Sequence, residues 1–257
     1  MNNLRTIITL ALIGLSTCLS SQSSYILPSG KKSIFINEVN RVTIIGTTES
    51  VAKIEIEGSQ LAHPERAKGL RLVNGSGYDD NTDIGLSIVE EDDQMVIREV
   101  SNRSRRRYTI YVPSDYEVSY HITSNRGGGL IIEDVKAELD VSTLHNSITM
   151  TGVSGPMAIH SVHGRIEATF DKVNQTGPIS IYSVHGHLDV SIPSQTKADV
   201  SMFSGHGEIY SDVDLKIDRK EGGQNLINIS DVKATINGGG VKFSLKTQHS
   251  DIYLRNI

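Results

Sequence analysis

Histidine recurs at one position of a short repeated motif, and imidazole is the side chain best suited to bind metal or change charge near neutral pH. The motif occurs five times, with its histidine at His145, His163, His185, His206 and His249. Successive histidines are 18, 22, 21 and 43 residues apart, so the last interval is about two periods. Residues at one position of stacked strands lie about 4.8 Å apart, and adjacent imidazoles in such a stack can share Zn²⁺, Cu²⁺ or Ni²⁺. These five histidines are therefore the candidate metal ligands.

A structural interpretation of the same motif competes with metal binding. Gly164, Gly186 and Gly207 follow their histidines where a narrow coil must turn sharply, and glycine accepts positive φ without steric cost. The preceding histidine then points outward from the corner, where a polar ring is acceptable. No carboxylate recurs beside the histidines and no compact Cys/His spacing occurs. The motif therefore predicts a turn in the first place, and no cofactor is expected.

The acidic residues do not predict an active site. Parallel β-helices that cleave polysaccharides need carboxylates or a basic residue converging on one groove. The acidic residues of the repeats are instead scattered over alternating strand positions without a paired spacing: Glu133, Asp134, Asp140, Glu167, Asp189 and Glu208. No nucleophile elbow or phosphate-binding loop occurs in the sequence. We therefore expect that the chain is not an enzyme.

Short strands are the elements that must position the histidines. Apolar and polar residues alternate in runs such as Tyr108 to Val112, bounded by Gly, Asn, Asp or Pro, which is the pattern of strands. From Tyr116 onward the alternation repeats with a period of about 20 residues, which predicts two short strands and two turns per coil of a solenoid. The expected fold is all-β, a single-stranded β-solenoid or β-helix with coils of about 20 residues.

The pattern divides the chain into three segments. Residues 1–21 read as a signal peptide, residues 22–115 as irregular N-terminal β coils, and residues 116–257 as regular solenoid repeats. We expect the irregular coils to cap the solenoid, because an open strand edge invites aggregation and must be covered. A separate small β-sandwich is the alternative for residues 22–115.

The first 21 residues differ in character from the rest. A short polar start with Arg5 is followed by the uncharged run Ile7–Leu15 and by small residues, which is typical of a secretory signal and too short to span a bilayer. Cleavage after this stretch would export a mature chain without cysteine, because Cys18 is the only one. Cys18 also lies in a sequence that resembles a bacterial lipobox, from which Thr17 departs. The expected location is the periplasm, the cell surface or the extracellular medium, with a lipoprotein anchored through Cys18 as the alternative.

Charge argues against one class of partner. The net charge is −5 and the basic residues form no dominant face, whereas nucleic-acid phosphates are normally met by clustered Lys and Arg. The expected partners are a surface protein or a glycan, and the membrane only if Cys18 is lipidated.

Several stretches resemble one known family. Tyr108–Pro113, the repeated Ser-x-x-Gly-x-Ile corners, Ile236–Gly240 and Phe243–Thr247 are similar to the DUF4097 family of candidate adhesins. The resemblance implies an exported bacterial β-solenoid that acts in adhesion, or as an envelope binding or scaffold protein, without catalysis. The histidines depart from the family pattern, in which Ser or Asn is more usual. They leave open the alternative of a ligand- or metal-binding β-helix, and less so a carbohydrate-active one, that works through a histidine-lined edge.

Overall fold

A computed structural model describes residues 24–28, 30, 32–57, 65–100, 106–124, 128–217 and 230–257. The predicted signal peptide and Cys18 lie outside these residues. Within the described ranges the regular structure consists of strands and one short 3₁₀ helix, Glu65–Ala67. No helix in these ranges is long and apolar enough to cross a membrane. The all-β prediction is confirmed.

The strands are short and fall in two sheets. In chain order they are β1 (Ser24–Ile26), β2 (Ser33–Asn37), β3 (Val42–Thr47), β4 (Lys53–Glu57), β5 (Leu86–Glu91), β6 (Gln94–Glu99), β7 (Arg107–Pro113), β8 (Glu117–Ile122), β9 (Leu130–Glu133), β10 (Leu139–Thr143), β11 (Ile148–Val153), β12 (Met157–Ser161), β13 (Ile166–Phe170), β14 (Ile179–Ser183), β15 (Leu188–Ile192), β16 (Ala198–Ser204), β17 (Ile209–Ser211), β18 (Lys216–Ile217), β19 (Ser230–Ile236), β20 (Val241–Thr247) and β21 (Ile252–Asn256). The first sheet has the order β1-β4-β7-β3-β9-β11-β13-β15-β21-β17, and the second has the order β18-β19-β16-β20-β14-β12-β10-β8-β2-β6-β5.

The chain alternates between the two sheets from β8 to β15. Each strand from β8 to β13 pairs in parallel with the strand two places later in the chain, as β10 does with β12 and β12 with β14. In the first sheet β11 pairs with β13 and β13 with β15 in the same way. One strand from each sheet and the two turns that join them thus form a unit that stacks on the previous unit. We call each such unit a coil.

The core lies between the two sheets and follows from the alternation in the sequence. In β12, β14 and β15 every second side chain is buried and the others face outward. Because side chains of a strand alternate between the two faces of a sheet, one face of each sheet supplies an apolar layer. The two layers meet in contacts such as that between Phe170 and Phe243, whose ring centroids are 5.5 Å apart. Buried apolar residues form one cluster from Leu27 to Leu254.

The strands of the N-terminal segment belong to the same two sheets. β2 pairs in parallel with β8, and β3 with β9, so the stacking continues past the first regular coil. Antiparallel pairs occur near the sheet ends, as β4 with β7 and β5 with β6. Both sheets are therefore mixed rather than wholly parallel, and neither closes on itself.

The C-terminal strands are placed out of chain order. β20 lies between β14 and β16, and β21 lies between β15 and β17. The last coil of the sequence is thus inserted into the stack, while β18 and β19 close the end of the second sheet in antiparallel pairs.

Candidate functional site

The repeated motif forms the corner at which the chain leaves the second sheet for the first. A hydroxyl residue, three positions before the glycine position, is buried in each corner; these residues are Thr143, Ser161, Ser183, Ser204 and Thr247. In one corner Ser183 Oγ accepts the N–H of Gly186 at 2.9 Å and donates to the carbonyl of Gly164 in the neighbouring coil at 3.0 Å. One hydroxyl therefore closes its own turn and ties it to the next coil, and so satisfies backbone groups that would be costly to bury unpaired.

The corner glycines are required for close approach and not for positive φ, so the predicted reason is wrong. Gly164, Gly186 and Gly207 are absent from the residues with positive φ in the described chain. A Cβ on Gly186 would lie 2.1 Å from the carbonyl oxygen of Gly164, and a Cβ on Gly164 would lie 1.9 Å from that of Asn146. The backbones of adjacent coils touch here, and no side chain fits between them.

Backbone pairing continues through the corner and places the histidines in register. The N–H of His163 donates to the carbonyl of Leu144 at 3.0 Å, and that of His185 to Val162 at 2.9 Å. His249 repeats this bond to Val184 at 3.0 Å. Each histidine therefore sits directly above its counterpart in the adjacent coil, with an exposed side chain.

The five histidines form one stacked row, which we call the histidine ladder. The ring centroids are 5.0 Å apart for His145 and His163, 4.8 Å for His163 and His185, 4.8 Å for His185 and His249, and 5.1 Å for His249 and His206. The ring planes differ by no more than 9°. The predicted stacking at strand spacing is confirmed. Because the ring faces are turned toward one another, the ladder presents ring edges to solvent.

The spatial order of the ladder differs from the chain order. The 43-residue interval before His249 is about two periods, yet His249 does not lie two coils beyond His206. His249 lies between His185 and His206 because β20 and β21 insert into the stack. The sequence carries no signal for this insertion, since a periodic pattern is the same in either order.

Parallel stacked rings do not converge on a metal ion. Zinc lies about 2.0–2.1 Å from each imidazole nitrogen, so a spacing of 4.8 Å exceeds twice that distance. The in-plane lone pairs of parallel rings also run side by side. In the part of the chain that the structure describes, no three His, Cys, Asp or Glu side chains are grouped to hold a metal. Metal binding by the ladder requires rotated rings and stays a prediction.

Charged residues form a mixed row beside the ladder. Two positions after the histidines the chain carries Ser147, Arg165, His187, Asp251 and Glu208. Arg165 Nε donates to Glu167 at 2.7 Å, and the N–H of Glu208 donates to Asp251 at 2.9 Å. The row contains both positively and negatively charged residues, so the surface beside the ladder has no dominant charge.

The acidic residues considered as catalytic candidates do not converge on one groove, although Glu167 and Asp189 are register partners on the outer face of β13 and β15. Asp189 accepts two hydrogen bonds from Arg255, at 2.7 and 2.9 Å, and this pairing raises the pKa of Arg255 above its usual value. Asp134 lies 3.6 Å from Lys136, and Asp140 lies 3.7 Å from His121. Each of these carboxylates faces a basic neighbour on the outer surface rather than a shared groove.

A second row on the outer face of the second sheet was missed by sequence reasoning. His160 pairs in register with Tyr182, Tyr182 with Lys246 and Lys246 with Phe203. The rings of His160 and Tyr182 are stacked at 5.0 Å, and Lys246 Nζ lies 5.6 Å from the Tyr182 ring and 5.4 Å from the Phe203 ring. The period of the repeat could have revealed this row, because its members share one position of successive coils.

Comparisons with known proteins add little to this geometry. No family model and no curated protein matches the chain. A solved structure of a candidate cell adhesion protein from Clostridium sporogenes covers 92% of this chain and 100% of that chain, at 10% identity and a TM-score of 0.48. A candidate adhesin from Bacteroides fragilis covers 93% of this chain and 98% of that chain, at 9% identity and a TM-score of 0.35.

Proposed function

We propose that this chain is an exported, non-catalytic β-solenoid of the DUF4097 type that acts as an adhesin at the cell envelope. The strand alternation between two sheets from β8 to β15 and the signal-like first 21 residues support the solenoid and the export, respectively. The observation that carries the binding function is the histidine ladder, because a row of identical exposed groups is suited to a partner with its own repeat.

The ladder fits an extended glycan better than a compact ligand. Its rings repeat every 4.8 to 5.1 Å over five coils, and a sugar residue in an extended β-linked chain advances by a similar distance. Each exposed imidazole edge carries a nitrogen that donates or accepts a hydrogen bond. Sugar hydroxyls can do both, so one chain can repeat the same contact from coil to coil.

The carboxylate pairings support a non-catalytic role. General acid–base catalysis needs a titratable group within hydrogen-bond reach of a reacting atom. Asp189 is engaged by Arg255 and Glu167 by Arg165 on the outer face. Four of the six acidic candidates in the described ranges thus lie beside basic neighbours: Asp134, Asp140, Glu167 and Asp189.

A second candidate function, metal binding, has one observation in its favour. Five imidazoles in one exposed row give a high local density of the commonest metal-binding side chain. The rings would have to turn out of the stack to share an ion. Calorimetric titration with zinc or nickel, followed by the melting temperature with each metal, tests this candidate.

The glycan proposal is tested by sedimentation with insoluble β-linked glycans, namely cellulose, chitin and peptidoglycan. We expect the mature chain to be retained by at least one of them and the double variant His163→Asn/His185→Asn to be released. These two histidines are exposed, so the variant should fold. A matched control is His121→Asn, which lies off the ladder on β8. Equal retention of all three proteins would show that the ladder is not the binding surface.

A further inference from the structure

A polar cavity lies where three parallel strands of the second sheet end. β6, β2 and β8 are neighbours and run in the same direction, so their carboxyl ends meet at one edge. The cavity has a volume of about 340 Å³, and its wall includes Glu38, Asn40, Tyr78, Arg98, Glu99 and Ser124. Pockets for small ligands are typically about 300–1,000 Å³, so this one can enclose a small molecule.

Three buried polar atoms in this wall have no hydrogen-bond partner. They are Asn40 Oδ1, Arg98 Nε and Ser124 Oγ. They are three of eight such side-chain atoms in the part of the chain that the structure describes, so they are concentrated at this cavity. An unpaired buried polar group destabilises the fold, and a ligand that pairs with all three atoms removes that cost.

The orientation of Asn40 is fixed. The residue is 9% exposed, and both its backbone N–H and its Nδ2 donate to Glu99 Oε2 at 3.2 Å. Reversing the amide would place Oδ1 against a carboxylate oxygen, which is repulsive. The amide oxygen is therefore the group left to accept a hydrogen bond from a ligand.

Arg98 and Ser124 are held in place in the same way. Arg98 makes two hydrogen bonds to Glu91, at 2.9 and 2.8 Å, and this pairing raises the pKa of Arg98 and lowers that of Glu91. The guanidinium also lies 4.6 Å from the Tyr78 ring. The N–H of Ser124 donates to Glu38 at 3.2 Å. Arg98 is thus anchored through its terminal nitrogens and Ser124 through its backbone, which leaves Arg98 Nε and Ser124 Oγ unpaired.

The loop that carries Tyr78 is also preformed. The side chain of Asn74 accepts the N–H groups of Ser76 and Tyr78, both at 3.0 Å, and Asn74 N–H donates to the Tyr78 carbonyl at 2.9 Å. The cavity therefore needs little ordering when a ligand binds, which favours affinity.

The unpaired atoms define the chemistry of the ligand. Asn40 Oδ1 accepts a hydrogen bond, Arg98 Nε donates one, and the Ser124 hydroxyl can do both. The ligand must therefore offer donors and acceptors close together. Glu38 accepts hydrogen bonds from uncharged groups of Thr123 and Ser124, while the charge of Arg98 is already paired with Glu91, so an anion would be repelled. We infer that this cavity binds a single neutral sugar residue, whose hydroxyl groups supply both kinds of partner.

This inference does not rest on the function proposed above. The cavity lies at the corners that follow β2 and β8, whereas the histidine ladder begins at the corner that follows β10. The two sites share one side of the stack, and the unpaired atoms of the cavity stand independently of any glycan on the ladder.

The test is ligand-observed NMR of the mature chain at millimolar concentrations of the methyl glycosides of glucose, galactose, mannose and N-acetylglucosamine. We expect at least one of them to bind and glucuronate to fail. Ser124→Ala should weaken binding about two- to tenfold, the loss of one hydrogen bond, with no loss of melting temperature because this hydroxyl has no partner in the free protein. Ser180→Ala, an exposed change on β14, is the matched control and should bind as the wild type does.

Two results would overturn the inference: no binding by any of the four glycosides, or binding that Ser124→Ala and Tyr78→Ala both leave unchanged. The variant His163→Asn/His185→Asn separates this site from the ladder. It should keep the glycoside and lose the insoluble glycan, so failure at one site is distinguishable from failure at the other.

Discussion

Replacing Gly186 with alanine tests the close packing of adjacent coils. The new Cβ would lie 2.1 Å from the carbonyl oxygen of Gly164, 2.5 Å from its carbon and 2.7 Å from the nitrogen of Arg165. Contacts of a Cβ below 3.0 Å are essentially never seen, so the two coils would have to separate by about 1 Å at this corner (3.0 − 2.1 = 0.9 Å).

The cost can be worked out from that separation. Overpacking in a well-packed interior costs about 1–3 kcal/mol. The separation also stretches the bond from Ser183 to the Gly164 carbonyl and the one from His185 to Val162, each worth about 1 kcal/mol. We expect a loss of about 3–5 kcal/mol in the free energy of unfolding. At about 2–4 °C per kcal/mol for a chain of this size, the melting temperature should fall by roughly 6–20 °C.

Two other glycines provide graded controls in the same assay, which is thermal unfolding followed by circular dichroism with urea unfolding for the free energies. A Cβ on Gly75 meets no atom within 4 Å, so Gly75→Ala should change stability by no more than about 0.5 kcal/mol. Gly238 is equally open but has a φ of +85°, so Gly238→Ala should cost about 1 kcal/mol through backbone strain. If Gly186→Ala costs no more than Gly238→Ala, the close-approach explanation is refuted.

Two further predictions concern the corner hydroxyls and a buried phenol. Ser183→Ala should cost about 1–3 kcal/mol in urea unfolding, because it leaves two buried backbone groups without their partner, whereas the exposed change Ser180→Ala should cost almost nothing. Burial raises the pKa of Tyr120, so the folded protein favours the neutral phenol. The free energy of unfolding should therefore fall as the pH rises above about 10, where this tyrosine ionises in the unfolded chain. Tyr120→Phe should reduce that loss, as measured by urea unfolding at high pH.

The regular part of the fold was predictable because period and alternation are properties of the sequence itself. A repeat of about 20 residues with buried residues at every second position places His163 above His145, and the structure confirms that stacking. The same pattern cannot give the order of coils, since β20 pairs as well with β14 as a strand adjacent in sequence would. The repeat pattern therefore could not predict the position of His249 in the stack.

The reason that glycine is required at the corners could not be predicted from the sequence either. A sharp turn suggests positive φ, but Gly186 is required by the carbonyl of Gly164, a contact between coils that no local rule describes. The cavity around Asn40 and Ser124 also depends on a contact between distant parts of the chain, so the sequence does not predict it. These residues are 84 positions apart in the chain (124 − 40), and only the parallel pairing of β2 with β8 brings their corners together.

The measurement that tests the adhesin proposal most directly is protease accessibility of an epitope-tagged copy, compared between intact and lysed cells. Surface display predicts that the tag and the chain are digested on intact cells while a periplasmic marker survives. Protection until the cells are lysed would contradict the proposal, because a chain that is enclosed by the envelope cannot bind a glycan outside it.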